Sequence, residues 1–282
     1  MTIDQHSKAQ VFKALHEKDG TFVIPNPWDA GTARLLTSLG FPALATTSAG
    51  LAWSLGMPDG AGAFSRDQAI ENVRQIAQAT PLPVSADFEN GYGHTPEEVA
   101  EGIRKVALEG GAVGASIEDA TSVSGSAPIY DFQLAVERIH AAVEAARTLP
   151  FPFVLVARAE NFCHGITDME DTLRRLKAYE AAGADVLFAP GIKTLDQVRE
   201  VCQAVQKPVN VNAGIMNAPW TVAELSEAGV KRISLGAGLV RVALASFVQA
   251  AQELQKAGSF SFMKDAGKVN LTDLMFKEHI PR

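Results

Sequence analysis

What most constrains this chain is a unit that repeats along it: a capped helix, a glycine, then a short apolar strand. Eight strand candidates are readable: TFVIPN (21–26), PALATTS (42–48), LPVSADF (82–88), AVGASIE (112–118), FVLVARA (153–159), DVLFAP (185–190), PVNVNA (208–213) and RISLGA (232–237). Most are continuous apolar runs rather than alternating ones, the pattern of parallel strands covered on both faces. Capping-box pairs mark helix starts between them: Ser65 with Gln68, Thr95 with Glu98, Thr167 with Glu170, Thr194 with Gln197, and Thr221 with Glu224. Pro96 follows Thr95 at the first helical position, where a missing N–H costs nothing. Gly40, Gly110, Gly183 and Gly229 close helical runs, and a strand follows each within a few residues. Eight such units predict an α/β fold, a (β/α)8 TIM barrel. A doubly wound open sheet is the rival, but no GxGxxG follows the first strand.

A barrel of this kind fits a single domain, here residues 1–258. The tail, 259–282, lies beyond the eighth helix and reads as one further helix that docks on the body or on a partner subunit. Net charge is −7 and no basic stretch is present, which argues against nucleic-acid and membrane-surface partners. No apolar run reaches the roughly 20 residues of a membrane span. The N-terminus is too polar for a secretory signal and reads as an amphipathic helix with Val11, Phe12 and Leu15 on one side. Cys163 and Cys202 make no disulfide framework, so a reducing, cytoplasmic setting is expected.

Chemistry in such barrels sits at the C-terminal ends of the strands. The polar residues collect there: Thr46 to Gly50 after the second strand, Asp87 and Glu89 at the third, Glu118 and Asp119 at the fourth, Arg158 to Asn161 at the fifth, and Asn210 and Asn212 at the seventh. Side chains repeat every two residues, so Asp87 and Glu89 are expected on one side of their strand. With Glu118 they make three converging carboxylates. Like charges raise one another's pKa, and a divalent cation is the simplest compensation. All-oxygen ligation with water favours Mg2+, with Mn2+ as the substitute. The bland reading is that these acids are caps and loop hydrogen bonders. Arg158 has two readings: a fork for a substrate carboxylate, or a neutraliser of the acids. Small residues at Thr47, Ser48 and Ala49 suit close approach of another carboxylate to backbone N–H groups.

Those residues, taken in order, resemble the isocitrate lyase/phosphoenolpyruvate mutase superfamily over nearly the whole chain. DFENGYG is similar to that family's DxDxGYG, and GFPALATTSAGLAWSLGMPDG to its GF…S-G…LG-PD segment. Glu118-Asp119 matches its ED pair, VARAE its arginine motif, and VNVN a lyase-like asparagine. The resemblance implies a Mg2+-dependent barrel enzyme that makes or breaks a C–C or P–C bond of a 2-oxo or 2-hydroxy acid through an enolpyruvate-like intermediate. It implies that Asp87, Glu89 and Glu118 hold the metal, directly or through water, and that Asp59 is a further acid near it. Thr47, Ser48 and Ala49 would bind the carboxylate and oxo end. Arg158 would bind a carboxylate or stabilise the enolate, and Asn212 would line the far side. A cytoplasmic homo-oligomer is also implied, a dimer of dimers (homotetramer) with the helix around Leu271–His279 exchanged between subunits.

The departures narrow the reading. Family lyases carry K-[KR]-C-G-H just after the fourth strand, and the phosphonate enzymes a lysine and an asparagine there. Here the run is EDATSVSGSAPIYDF, whose gate segment 120–129 has none of these, only Thr121, Ser122, Ser124 and Ser126. A mutase-type histidine after the sixth strand is replaced by Pro190. The expectation is therefore a C–C lyase, decarboxylase-like or methylisocitrate-lyase-like, acting on a small di- or tricarboxylate. Its rivals are a P–C hydrolase or mutase and a non-catalytic oxo-acid-binding protein. Cys163 and His164 are candidate replacement acid/bases, weighed against a packed and a solvent-facing loop residue. Cys202 reads as core and His94 as a loop residue. Gly236 and Gly238 in LGAGLVR read as a tight turn rather than a phosphate site.

Overall fold

The computed structural model describes residues 4–60, 62–121, 125–214 and 219–276. Strands β1 (Phe22–Ile24), β2 (Leu44–Ala45), β3 (Val84–Asp87), β4 (Gly114–Glu118), β5 (Val154–Arg158), β6 (Val186–Phe188), β7 (Val209–Asn212) and β8 (Arg232–Ser234) form one parallel sheet. Its order is β1-β8-β7-β6-β5-β4-β3-β2. Ala45 N donates to Pro25 O across the remaining gap, 3.1 Å, so the sheet nearly closes on itself. This is the (β/α)8 TIM barrel the repeating units predict. All eight expected strands form, each shorter than its apolar run. PALATTS shortens most, because Thr47 turns to cap a helix that begins at Ser48.

Helix α1 (Gln5–Glu17) precedes the barrel. The others are α2 (Ala30–Ser38), α3 (Ser48–Ser54), α4 (Arg66–Ala79), α5 (Pro96–Leu108), α6 (Phe132–Arg147), α7 (Met169–Ala181), α8 (Leu195–Ala204), α9 (Val222–Glu227), α10 (Gly238–Ala257), α11 (Met263–Ala266) and α12 (Leu271–Phe276). Four of the expected capping boxes form at Ser65, Thr95, Thr194 and Thr221. The fifth is displaced by one residue. Asp168, not Thr167, caps α7 by accepting from Asp171 N, a charge-assisted bond that outcompetes a hydroxyl. After α5 the left-handed residue is Gly111 rather than Gly110.

Two apolar layers hold the barrel. Outside, α4 to α9 lay residues such as Ile103, Ile139, Leu176 and Val198 on outward strand residues including Ile117, Leu155 and Ile233. Inside, Phe12 and Leu15 of α1 enter the N-terminal mouth and pack with Phe22, Ile24, Val154, Val156, Val186 and Phe188. Each such side chain contributes about 1.5–3 kcal/mol on burial. The plug seals one end with hydrocarbon and leaves the C-terminal end for polar groups.

The C-terminal region differs from expectation. Among its described residues the tail forms two short helices rather than one. Of these α12 packs against α2, where Arg34 lies over the Phe276 ring at 5.4 Å. The anticipated helix Leu271–His279 ends at Phe276 among the described residues, and 277–279 lie outside them. The uncovered apolar surface starts earlier, on α10 itself. Val240 is its only buried residue, while Val242, Leu244, Phe247 and Val248 are exposed. No helix among the described residues is long and apolar enough to cross a membrane.

Candidate active site

The C-terminal mouth holds a cavity of about 230 Å3. Its wall includes Thr47, Ser48, Ala49, Asp59, Asp87, Arg158 and Asn212, seven of the nine residues singled out from sequence. Glu89 and Glu118 do not line it. Glu118 is joined to it through its ion pair with Arg158.

Arg158 closes β5 and is the hub. Its Nη1 lies 2.8 Å from Asp87 Oδ1, its Nη2 3.0 Å from Glu118 Oε2 and 2.8 Å from Glu160 Oε1, and its Nε donates to Glu160 Oε1 at 2.9 Å. One guanidinium thus faces three carboxylates from three strand ends. Burial alone would loosen its proton, but Glu160, Glu118 and Asp87 together hold it more tightly than usual. The neutralising reading of Arg158 describes this geometry. Glu160 is a partner that sequence reasoning passed over, although it stands two residues after Arg158, on the same side by alternation.

Asp87 is tied on every side. Its Oδ2 accepts from Ser48 N (2.9 Å) and Ser48 Oγ (3.0 Å), and its backbone N–H donates to Thr46 Oγ1 (2.9 Å). The N–H of Ser48 is therefore spent on Asp87. Glu89 does not extend β3 as expected. The strand ends at Asp87, and Glu89 sits in the left-handed region at φ 44°, as does Tyr92 at φ 54°. That turn tucks the Glu89 side chain inward, where it is buried and receives no hydrogen bond from any described residue. Burial first, then Asp87 and Asp59, push its carboxyl up to about 7. Glu118 is likewise raised well above the carboxylate range, by burial first. Asp59, at the rim, is raised by burial and then by Asp87.

The DFENGYG turn is held from behind. Arg138 of α6 is 1% exposed and donates through Nη1 to Gly93 O and His94 O, both 2.7 Å, and through Nη2 to Asn90 O. Its guanidinium stacks on the Tyr130 ring at 4.0 Å. Asp119, beside Glu118, is buried, accepting from Tyr179 Oη (2.6 Å), Arg175 Nη1 (3.0 Å) and Glu160 N (2.8 Å). It anchors the fourth and fifth strand ends to α7 and stays out of the cavity.

Other candidates resolve simply. His94 hydrogen-bonds Tyr130 Oη through Nδ1 (2.6 Å). His164 and Cys163 are both exposed rather than packed, and the protein crowding the Cys163 thiol, followed by Glu160, raises it above its usual range, so it is no ready thiolate. Cys202 packs against the core, with its thiol raised to about 11 by burial. The N–H groups of Leu235 and Gly236 both donate to Asn26 Oδ1, so that turn is committed internally. In the gate, Thr121 is pinned by Ala127 O and Pro128 O, and an Ala120–Ile129 bridge pinches the segment. Ser122 and Ser124 lie outside the described residues.

As a metal centre, the donor set is hard oxygen in a region where acids are crowded and Glu89 has no proton donor, which suits a hard cation. Among the described residues no three His, Cys, Asp or Glu side chains close around one point.

Residues 12–255 match the family profile described as phosphoenolpyruvate phosphomutase. The chain belongs to the isocitrate lyase/phosphoenolpyruvate mutase superfamily. It is 33% identical to 2-methylisocitrate lyase of Salmonella typhimurium, covering 80% of this chain and 77% of that protein. It is 31% identical to an oxaloacetate decarboxylase of Bradyrhizobium diazoefficiens, over 68% of this chain and 67% of that one. A crystal structure from Burkholderia cenocepacia, described provisionally as a lyase/mutase, superposes with a TM-score of 0.91 at 52% identity, over 96% of this chain and 95% of that one. The superfamily places the chain among enzymes of the lyase or mutase kind.

Proposed function

We propose that this superfamily member is a Mg2+-dependent carbon–carbon lyase, with Mn2+ as a possible substitute, acting on a small 2-oxo or 2-hydroxy di- or tricarboxylate. The observation that carries the reading is the meeting of Asp87, Glu118 and Arg158 beside the small-residue wall Thr47–Ala49 in one barrel mouth. Asp87 would hold the ion, with Glu89 and Glu118 joined through water. Bound there, the ion supplies a Lewis acid that steadies negative charge building on a carbonyl oxygen.

The chain's own groups do the rest. Thr47, Ser48 and Ala49 leave room for a carboxylate against the wall. Arg158 fixes the acids in place and lends positive charge where the enolate develops. Asp59, on the rim with its carboxyl raised, is the acid poised to hold and return a proton to carbon. Asn212 lines the far side. The gate segment brings no lysine, histidine or cysteine, so a leaving group that needs no strong acid suits this site best. Carbon dioxide is such a group, which favours a decarboxylase-like reaction. The same absence weakens the P–C reading. A test is to strip divalent ions with a chelator and follow pyruvate formation from oxaloacetate. The rate is expected to fall to the spontaneous one and return with Mg2+. An undiminished rate in chelator would overturn the metal-dependent reading.

The bare apolar face of α10 supports assembly as a homo-oligomer, a second copy covering Val242, Phe247 and Val248. In such a complex the helix around Leu271–His279 would be exchanged between subunits.

A further inference from the structure

Arg232 opens β8 and points into the barrel. It lies between the plug and the active-site cavity: the Phe12 ring is 5.8 Å from its Cζ on one side, and on the other it lines the cavity that also holds Asp87 and Arg158. It is 4% exposed. One donor, Nη2, reaches Ser85 Oγ at a long 3.4 Å. Nε and Nη1 are buried and meet no acceptor among the described residues. Asp87 is the one acid that favours its charged form, against burial that pulls it down to about 9. Beside it, Asn210 Nδ2 donates to Ser234 Oγ (3.1 Å), which leaves Asn210 Oδ1 buried without a donor.

A buried guanidinium with unmade bonds destabilises a fold. The inner layer near it holds Val154, Val156, Val186 and Phe188 together with the polar Ser85 and Asn210, none of them a carboxylate that would pair with the charge. Retaining the charge implies a partner that comes from the cavity. Arg158 does not supply this function, because three carboxylates already share it. Arg232 is the buried cation of this cavity without an ion-paired carboxylate among the described residues.

We infer that Arg232 is an anion-receiving subsite at the floor of the cavity, its guanidinium taking the second carboxylate of a short dicarboxylic ligand. The inference rests on the proposed reading of the ligand as a carboxylic acid. It adds that a diacid spans from the acid-lined mouth to the floor, and that a monoacid loses one of its two anchors.

The test uses the full chain with Mg2+ and calorimetric binding of malonate and acetate to wild type, Arg232→Met and Arg232→Lys. Arg232→Met is expected to weaken malonate at least tenfold and leave acetate unchanged, with Arg232→Lys between. Ligand-free Arg232→Met is expected to melt no lower than wild type, because the lost group was an unpaired buried charge. Unchanged malonate affinity, or a ligand-free variant that melts several degrees lower, would overturn the subsite and make Arg232 an internal buttress. Chloride that stabilises wild type but not Arg232→Met, without competing with malonate, would also overturn it in favour of a free inorganic anion. Binding is read without turnover, so loss of the lyase reading and loss of this subsite are separable.

Discussion

The plug at the barrel's N-terminal end makes stability fall in mild acid through one residue. His16 of α1 is 9% exposed, its Nδ1 on Phe12 O at 2.8 Å and its ring edge-on to Phe12 and Phe22. Its Nε2 is buried with no partner among the described residues. Burial first, then the charge of Arg232, lower its pKa from 6.5 to about 3. The folded protein therefore keeps His16 neutral, while the unfolded chain takes up a proton below about pH 6.5. Stability tied to His16 is complete above that pH and is lost as pH falls toward 3. At about 1.4 kcal/mol per pH unit, lowering pH from 7 to 5 removes about 2 kcal/mol. Urea unfolding of wild type and His16→Leu at both pH values isolates the effect, since every other titrating group is common to the two. The variant loses the Phe12 bond and starts less stable, but its loss between pH 7 and 5 should be smaller by about 2 kcal/mol. Equal losses in the two proteins would refute the reasoning and mean that the plug admits water to His16.

Three other expectations follow from named contacts. Arg138→Met strands the carbonyls of Asn90, Gly93 and His94, and should cost about 3–5 kcal/mol and lower turnover by loosening the turn that carries Glu89; thermal melts and rates check both. Gly102→Ala puts a methyl 2.8 Å from Gly91 O and 3.1 Å from the Phe88 ring, so it should destabilise by about 1–3 kcal/mol in denaturant titration. Phe247→Asp places a charge on the bare face of α10, 70% exposed in this chain, and should lower the assembly's mass in light scattering without a lower melting temperature for the dispersed form.

The barrel was legible because its signals are local. Capping pairs, closing glycines and apolar runs each report on a few neighbouring residues, and eight apolar runs in series with such punctuation between them leave little choice of fold. The errors also have local causes. Asp168 and Thr167 are adjacent and both can cap, and only the competition between carboxylate and hydroxyl decides. Alternation placed Glu89 beside Asp87 on a strand, whereas the backbone turns left-handed there, a conformation that glutamate rarely takes and that its sequence does not announce. Thr47 to Ala49 and Asn212 were found because strand ends mark the mouth. Glu160 and Arg232 were missed for different reasons. Glu160 shares its motif with Arg158 and was read only as context. Arg232 stands at the start of its strand, where a rule that looks only at C-terminal ends is blind. A charged residue opening an otherwise apolar inner strand was the available signal.

The most direct test of the proposed function is product analysis by NMR. Wild type and Asp87→Ala would be incubated with Mg2+ and, separately, oxaloacetate, 2-methylisocitrate, isocitrate and phosphonopyruvate. Asp87→Ala subtracts spontaneous decarboxylation. Cleavage of a C–C bond in one of the carboxylic acids by wild type, absent in the variant, is the predicted result. Phosphate released from phosphonopyruvate alone, or no turnover of any compound, would contradict it.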